Sequence, residues 1–407
     1  MSKAVFIVFA CAVAVTTAEG ALQLLFPPYL EGYGYSLPAI GSLTSLVGIL
    51  RLSSRVPVGA AYRPSRARRQ LAIALLAFSL ATSGFALAAG NGIAVVGLTM
   101  AHGFAFGSLG TLILAVVIDL TGGQRAGTVM GWYTAALSTG YALGAFAGGW
   151  LADAAGTPAA LALLGALPVA AALAVVALPP FAGPHHPVGR GKGLRGLLEA
   201  GTRLDGRVWL AFAIVVYINL LADSVDTFFP LFGLSIGLPL ASVGALKGLK
   251  SGSASFIRFV SGVVFSYLDY RAVNVWAVIV SAAATFVLPW VSTFGAFAAL
   301  FTVLGLTRGV LRVTSAATVA ELRGEGRDVG LASGVYNAGL DIGGIAGPAL
   351  GGLLGSAFGL PAMFQIVAVA SVAAYFTVAL SSRAGRSTLR IGLRAPGARP
   401  ADPTSFG

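Results

Sequence analysis

One cysteine, three histidines and few charges are the first features of this chain. A lone Cys11 excludes an intramolecular disulfide, a redox pair and a cysteine zinc site. Three histidines supply neither a metal-ligand cluster nor, with one cysteine, a Cys/His dyad. No G-x-x-x-x-G-K-[ST] phosphate loop occurs, so ATP does not drive the protein from its own chain. Neither an enzyme nor a cofactor is expected. Charged residues make up only 10% of the 407, where a soluble domain carries about 25%. So few charges cannot cover a wet surface. With 57% hydrophobic residues the solvent must be largely lipid. Glycine, at 55 residues, is roughly twice its usual share, which suits closely packed membrane helices.

A spanning helix needs about 20 apolar residues. Twelve such segments can be read, at about 4–28, 38–61, 70–89, 93–119, 128–152, 158–179, 208–232, 239–266, 272–291, 294–320, 328–355 and 360–381. The fold class expected is an all-α membrane protein of two six-helix bundles, residues 1–179 and 208–382. The polar stretch 180–207, rich in Pro, Gly, His and basic residues, reads as a linker, and 383–407 as a disordered basic tail. Lys3 followed by an apolar run also fits a signal peptide, but the repeat described below needs this first helix.

The net charge of +12 could suggest nucleic acid, but the placement of the basic residues argues otherwise. With a cytoplasmic N-terminus, 19 of the 26 Lys and Arg fall in inner loops and tails and none in outer loops. The other seven lie inside segments. That asymmetry is topogenic. It places both termini in the cytoplasm, in a multi-pass protein of the cell membrane that is expected to act as a monomer.

Shifting the chain by 203 residues brings its halves into register. Phe26-Pro27 meets Phe229-Pro230, Gly34 meets Gly237, Gly41 meets Gly244, Arg55 meets Arg258 and Gly59 meets Gly262. A shift of 202 pairs Gly103 and Gly107 with Gly305 and Gly309, Asp119 with Glu321, and Arg125 with Arg327. At 203 again, Gly140, Gly144 and Gly148 meet Gly343, Gly347 and Gly351. Matched Arg and acidic positions exceed what a glycine-rich composition would produce by coincidence. Two parallel six-helix repeats around a basic loop are an architecture of secondary transporters.

At this point the chain resembles the major facilitator superfamily over nearly its whole length. Arg55-x-Pro57-x-Gly59 with Arg63, Arg66, Arg68 and Arg69 is similar to the family's loop motif after the second helix, with Arg63 near the place of its acidic residue. Gly140-x-x-x-Gly144-Ala145-x-x-Gly148-Gly149 resembles the fifth-helix antiporter motif with Ala for Pro. The eleventh segment carries the full form, Gly343-x-x-x-Gly347-Pro348-x-x-Gly351-Gly352. Thr99 stands where the family's fourth-helix motif has Arg. The resemblance implies alternating access and, through the fifth-helix motif, export. Independently of it, glycines at i, i+4 and i+8 form a smooth stripe that serves static packing or a sliding interface, and Pro348 allows a bend.

Glu19, Arg51, Asp223, Asp226, Lys247, Lys250, Arg308, Arg312 and Asp341 fall deep in segments 1, 2, 7, 8, 10 and 11. Each would cost about 3 kcal/mol facing lipid at mid-depth, so they must face one another or a wet cavity. Segments 3, 6, 9 and 12 have no such charge, and in the family these are the peripheral helices. Glu19, Asp223, Asp226, Asp341 and His102 are the candidate proton carriers, static pairing being the alternative. Arg51, Lys247, Lys250, Arg308 and Arg312, with Gln23, Asn219 and Asn337, are the candidate substrate contacts. Arg55 and Arg258, and the loop pairs Asp119/Arg125 and Glu321/Arg327, are candidate gates. Five deep cations against four acids suggest a polar, anionic or zwitterionic solute. The expected function is proton-coupled antiport exporting a small polar molecule. Proton-coupled uptake of an organic anion and a non-transporting sensor or scaffold are the alternatives.

Overall fold

The computed structural model describes residues 3–88, 90–121, 126–176, 206–267, 270–324, 329–381 and 386. Among these the chain is helical apart from short turns. The helices are α1 (Lys3–Gly32), α2 (Leu37–Ala61), α3 (Ala67–Ala88), α4 (Gly92–Thr121), α5 (Ala126–Ala155), α6 (Thr157–Gly165), α7 (Leu167–Val176), α8 (Gly206–Ser235), α9 (Leu240–Tyr267), α10 (Tyr270–Val287), α11 (Phe294–Gly324), α12 (Val329–Phe358) and α13 (Leu360–Ser381). Together α6 and α7 make one span, interrupted at Ala166. Pro168 has no amide to offer Leu164, so the ladder breaks there. The rods are therefore twelve, as the apolar segments predict. Most of the expected linker and tail lies outside the described residues.

Ten of the twelve rods are long and apolar enough to cross a bilayer by themselves. The other two are α5 and α9. Both are glycine-rich, and α9 carries Lys247, Lys250 and Arg258. They tolerate this composition because they face protein: α5 packs on α1 and on α9, and α9 on α5 and α11. Side chains such as Leu80, Leu87, Ile93 and Leu173 are exposed around the outside, as a lipid-facing surface requires.

Each half repeats the same packing. In the first, α1 packs on α5, α2 on α4, and α3 closes the outside against α4, α6 and α7. In the second, α8 packs on α12, α9 on α11, and α10 closes the outside against α11 and α13. The halves meet through α2 against α12 and α5 against α9. Turns repeat as well. Gly34 and Gly237, and Gly156 and Gly359, are pairs 203 residues apart with φ between 80° and 87°. Left-handed backbone at a helix end is where glycine is cheapest. After Gly34 the amide of Tyr35 reaches back to Leu30 O, and after Gly237 that of Leu238 reaches back to Gly233 O.

The glycine stripes form seams within each half. A β-carbon on Gly140 or Gly144 would collide with α1 at Thr16 or Thr17, and one on Gly148 would lie 3.1 Å from Ala21. Gly343, Gly347 and Gly351 stand in the same relation to Val216, Leu220 and Phe228 of α8. The next glycine in each stripe crosses between halves, Gly149 onto Leu240 and Gly352 onto Leu37. Of each stripe it is thus Gly149 and Gly352 that stand at the contact between the halves.

Let the basal end be the one where α1 begins and α13 ends, and the apical end its opposite. The halves are pressed together apically. Gly41 abuts the Pro348 carbonyl, and Gly244 the Ala145 carbonyl. Asp153, near the end of α5, accepts the amides of Leu240 and Ala241 at 3.1 and 2.8 Å and so caps α9 of the other half. Along one face of α9 the contact then opens. A β-carbon on Gly244 has no room, one on Gly248 would lie 3.3 Å from Ala142 O, and one on Gly252 meets nothing within 4 Å. The seam between α5 and α9 is thus tight apically and looser toward its basal end.

Candidate functional site

The deep charges gather in three constellations at mid-length of their helices. The first lies inside the amino-terminal half. Glu19 on α1 and His102 on α4 meet at 2.8 Å between Oε2 and Nε2. His102 Nδ1 lies 3.0 Å from the Thr82 hydroxyl on α3, and Gln23 Nε2 donates to Glu19 Oε1 at 2.9 Å. Glu19, His102 and Thr82 are each no more than 3% exposed. Phe78 and Phe106 pack on the imidazole with centroids at 4.9 and 6.2 Å. Thr82 was missed from sequence because α3 has no charge at this depth. A buried hydroxyl there was the available signal.

The second constellation joins the halves. Asp341 on α12 takes Arg55 Nη1 at 2.7 Å and Arg51 Nη2 at 3.6 Å, both from α2. Beside it Ser45 of α2 donates to Ile345 O of α12 at 2.7 Å. Gly344 leaves the room through which this site opens to the third. A β-carbon there would sit 2.8 Å from Asp223 Oδ2 and 3.5 Å from Arg51 Nη2.

In the third, Asp226 on α8 takes Lys250 Nζ at 2.6 Å and Arg308 at 3.4 Å, and Asp223, one turn away, takes Arg308 at 3.6 Å. Asn219, a further turn along, donates to Leu340 O at 2.7 Å and accepts Arg312 Nη1 at 3.4 Å. Among the described residues Arg312 has no ion pair, and Arg51 Nε is buried without a partner. Lys247 donates to the main-chain oxygens of Gln23 and Asp226. Tyr141 of α5 stands in the middle, within electrostatic reach of Glu19, Arg51, Arg308 and Asp223. Behind Lys250 and Arg308 the second half holds a small, mostly apolar cavity walled by Ile218, Leu221, Val225, Leu304 and Leu311.

The expected gates are placed as follows. Arg258 of α9 reaches across the looser basal end of that seam to Ser138 of α5 at 3.0 Å. A β-carbon on Gly59 would lie an ordinary 3.6 Å from Thr111 of α4. Asp119 accepts the Tyr62 hydroxyl at 2.6 Å. Tyr62 lies between spans, and burial and the adjacent carboxylate push its phenol up, so it stays the donor. Arg125, Arg327 and the Glu321 side chain lie outside the described residues. Asn337 is exposed on α12.

The profile of the Major Facilitator Superfamily matches residues 8–295 and 268–400. No curated protein matches the chain by sequence. Among solved structures it is similar to the nucleoside transporter NupG in a point-mutant form, with a TM-score of 0.77 and 14% identity over 92% of this chain and 99% of that one. It is also similar to a bacterial homologue of the human lysosomal transporter Spinster, in an inward-facing and unoccupied conformation. There the TM-score is 0.74, with 12% identity over 96% of this chain and 99% of that one.

Proposed function

The chain belongs to the major facilitator superfamily, and we propose that it carries a small organic anion together with protons, its halves rocking about the mid-depth charges. One observation carries this reading. Five deep cations, Arg51, Lys247, Lys250, Arg308 and Arg312, stand against four deep acids, Glu19, Asp223, Asp226 and Asp341. Each of those acids is already paired. An anion that binds Arg308 or Arg51 draws the cation from its carboxylate, which then takes a proton more readily. Solute and proton so favour each other's binding, and that positive linkage is what a symporter needs. The basic loops make the basal face cytoplasmic in the cell membrane, and the looser basal end of the seam then corresponds to an inward-facing form.

Antiport for export is the second reading. It rests on the likeness of Gly140–Gly149 to the antiporter motif and needs solute and proton to compete. In this structure those glycines pack α5 onto α1 and α9, a role that favours neither direction. The similarity to NupG brings nucleosides into consideration, but a neutral nucleoside leaves the basic excess unanswered.

The sign of proton movement decides. The purified protein is placed in liposomes with a pH dye inside, and carboxylates, phosphate esters, nucleosides and lipophilic cations are added outside in turn. Symport predicts acidification of the lumen by an anionic solute. Antiport predicts alkalinisation. Silence across all four classes would favour the sensor or scaffold and end both transport readings.

A further inference from the structure

Prolines interrupt both of the helices that face each other across the molecular centre. Pro27 in α1 and Pro230 in α8 stand one repeat length apart. A proline has no amide hydrogen, so the carbonyl four residues earlier loses its helical donor. Pro27 and Pro230 deprive Gln23 O and Asp226 O in this way, and Pro28, beside Pro27, deprives Leu24 O. In a bilayer core such an orphan is costly and must find a donor from elsewhere in the protein.

Lys247 of α9 is that donor for the first two. Its Nζ lies 2.8 Å from Gln23 O and 2.9 Å from Asp226 O. One ammonium thus fills a vacancy in each half. Among the described residues its nitrogen makes no ion pair, and the residue is 5% exposed. Its level in the wedge between the halves matters as much. Gly244, just above, is closed against α5. Gly248, just below, has begun to part from it, and Gly252 is clear. Lys247 sits at the vertex.

We infer that Lys247 is the fulcrum of the transport cycle, a positioning residue whose ammonium holds one proline-freed carbonyl in each of α1 and α8 while the halves rock about it. It is not a solute ligand. A tetrahedral ammonium offers three donors from one point and can serve two helices at once. The two bonds pivot on a single nitrogen, so the helices change angle without either carbonyl losing its partner. This holds whichever solute is carried and whichever way protons move.

The test is a cycle between Lys247→Met and the pair Pro27→Ala with Pro230→Ala. Methionine keeps the length and apolar stem but donates nothing. The two alanines return the missing amides to Gln23 O and Asp226 O. In the native background Lys247→Met is expected to lower Tm by about 5 °C or more and the maximal transport rate by about tenfold, with KM changed less than about twofold. In the double-alanine background its Tm cost should fall to half or less. If Lys247→Met alone does not accumulate, the triple variant must be recovered folded. An equal cost in both backgrounds, an unfolded triple variant, or a raised KM at unchanged Tm would overturn the inference.

Discussion

His102 Nε2 lies 2.8 Å from Glu19 Oε2, and the protons at that contact can be counted. Thr82 donates its hydroxyl hydrogen to Phe78 O at 2.8 Å, so its oxygen is left to accept from His102 Nδ1. With Nδ1 as donor, Nε2 and Glu19 share one proton. The pair is net neutral whether that proton rests on the imidazole or on the carboxyl, which suits a site that is no more than 3% exposed. A second proton can enter only with a compensating negative charge nearby. An organic anion brings one.

Glu19→Gln removes the movable proton but keeps a donor to Nε2. Gradient-driven flux is expected to fall at least about tenfold, a lost charge-assisted hydrogen bond being worth about 1.5–3 kcal/mol. Counterflow exchange without a gradient should persist. Measuring both in the same liposomes separates loss of coupling from loss of fold. Flux still driven by a gradient would remove Glu19 from the proton path.

Asp341→Asn strips Arg51 and Arg55 of their carboxylate at the seam of α2 and α12. Expression and elution volume should stay native, because Arg55 is 39% exposed and rehydrates. The halves lose an ion pair that crosses between them, so gradient-driven flux should drop while solute affinity holds or rises as Arg51 is freed. Unaltered flux would make Asp341 a static partner.

The sequence made the framework legible because membrane insertion forces it. Apolar length gives the rods, and the repeat spacing places Gly34 with Gly237 before any coordinate is known. The cost of burying charge also put Asp226, Lys250 and Arg308 among side chains that must face one another or a wet cavity. Partnership across halves was not legible. Nothing local links Asp341 to Arg55, 286 residues away. Contacts to main-chain atoms were hidden more deeply, because a carbonyl or amide has no letter in the sequence. Lys247 therefore read as a solute contact, and Asp153 did not read as functional at all.

Asp153→Asn tests the apical clasp. The carboxylate accepts two amides at the start of α9 and also meets the positive end of that helix dipole. Asparagine keeps one acceptor and loses the charge. For an exposed cap the cost is about 1 kcal/mol, which shifts the balance toward the apically open form about fivefold. In a background of Cys11→Ala with Leu37→Cys, an impermeant thiol reagent added from the apical side should react faster by about that factor. An unchanged rate would mean that the seam of Gly41, Gly149, Gly244 and Gly352 closes the apical face without help.

Gly244 and Gly252 lie on one face of α9, and the wedge makes opposite predictions for them. A methyl group on Gly244 meets the Ala145 carbonyl, a backbone atom that cannot turn aside. Gly244→Ala should therefore lower the folded yield and loosen the apical closure. Gly252 has open space around it, and Gly252→Ala should be neutral or stabilise by up to about 1 kcal/mol through helix propensity. Alternating access adds a further demand, because closing the basal end brings α5 toward this same face. Gly252→Leu should then fold normally and bind solute from the basal side, yet fail to pass it across the membrane. Binding measured by thermal shift and transport measured by counterflow would part company in that variant alone. Full counterflow by Gly252→Leu would show that the basal gap closes along some other pair of helices, and that the rocking axis does not run past Lys247.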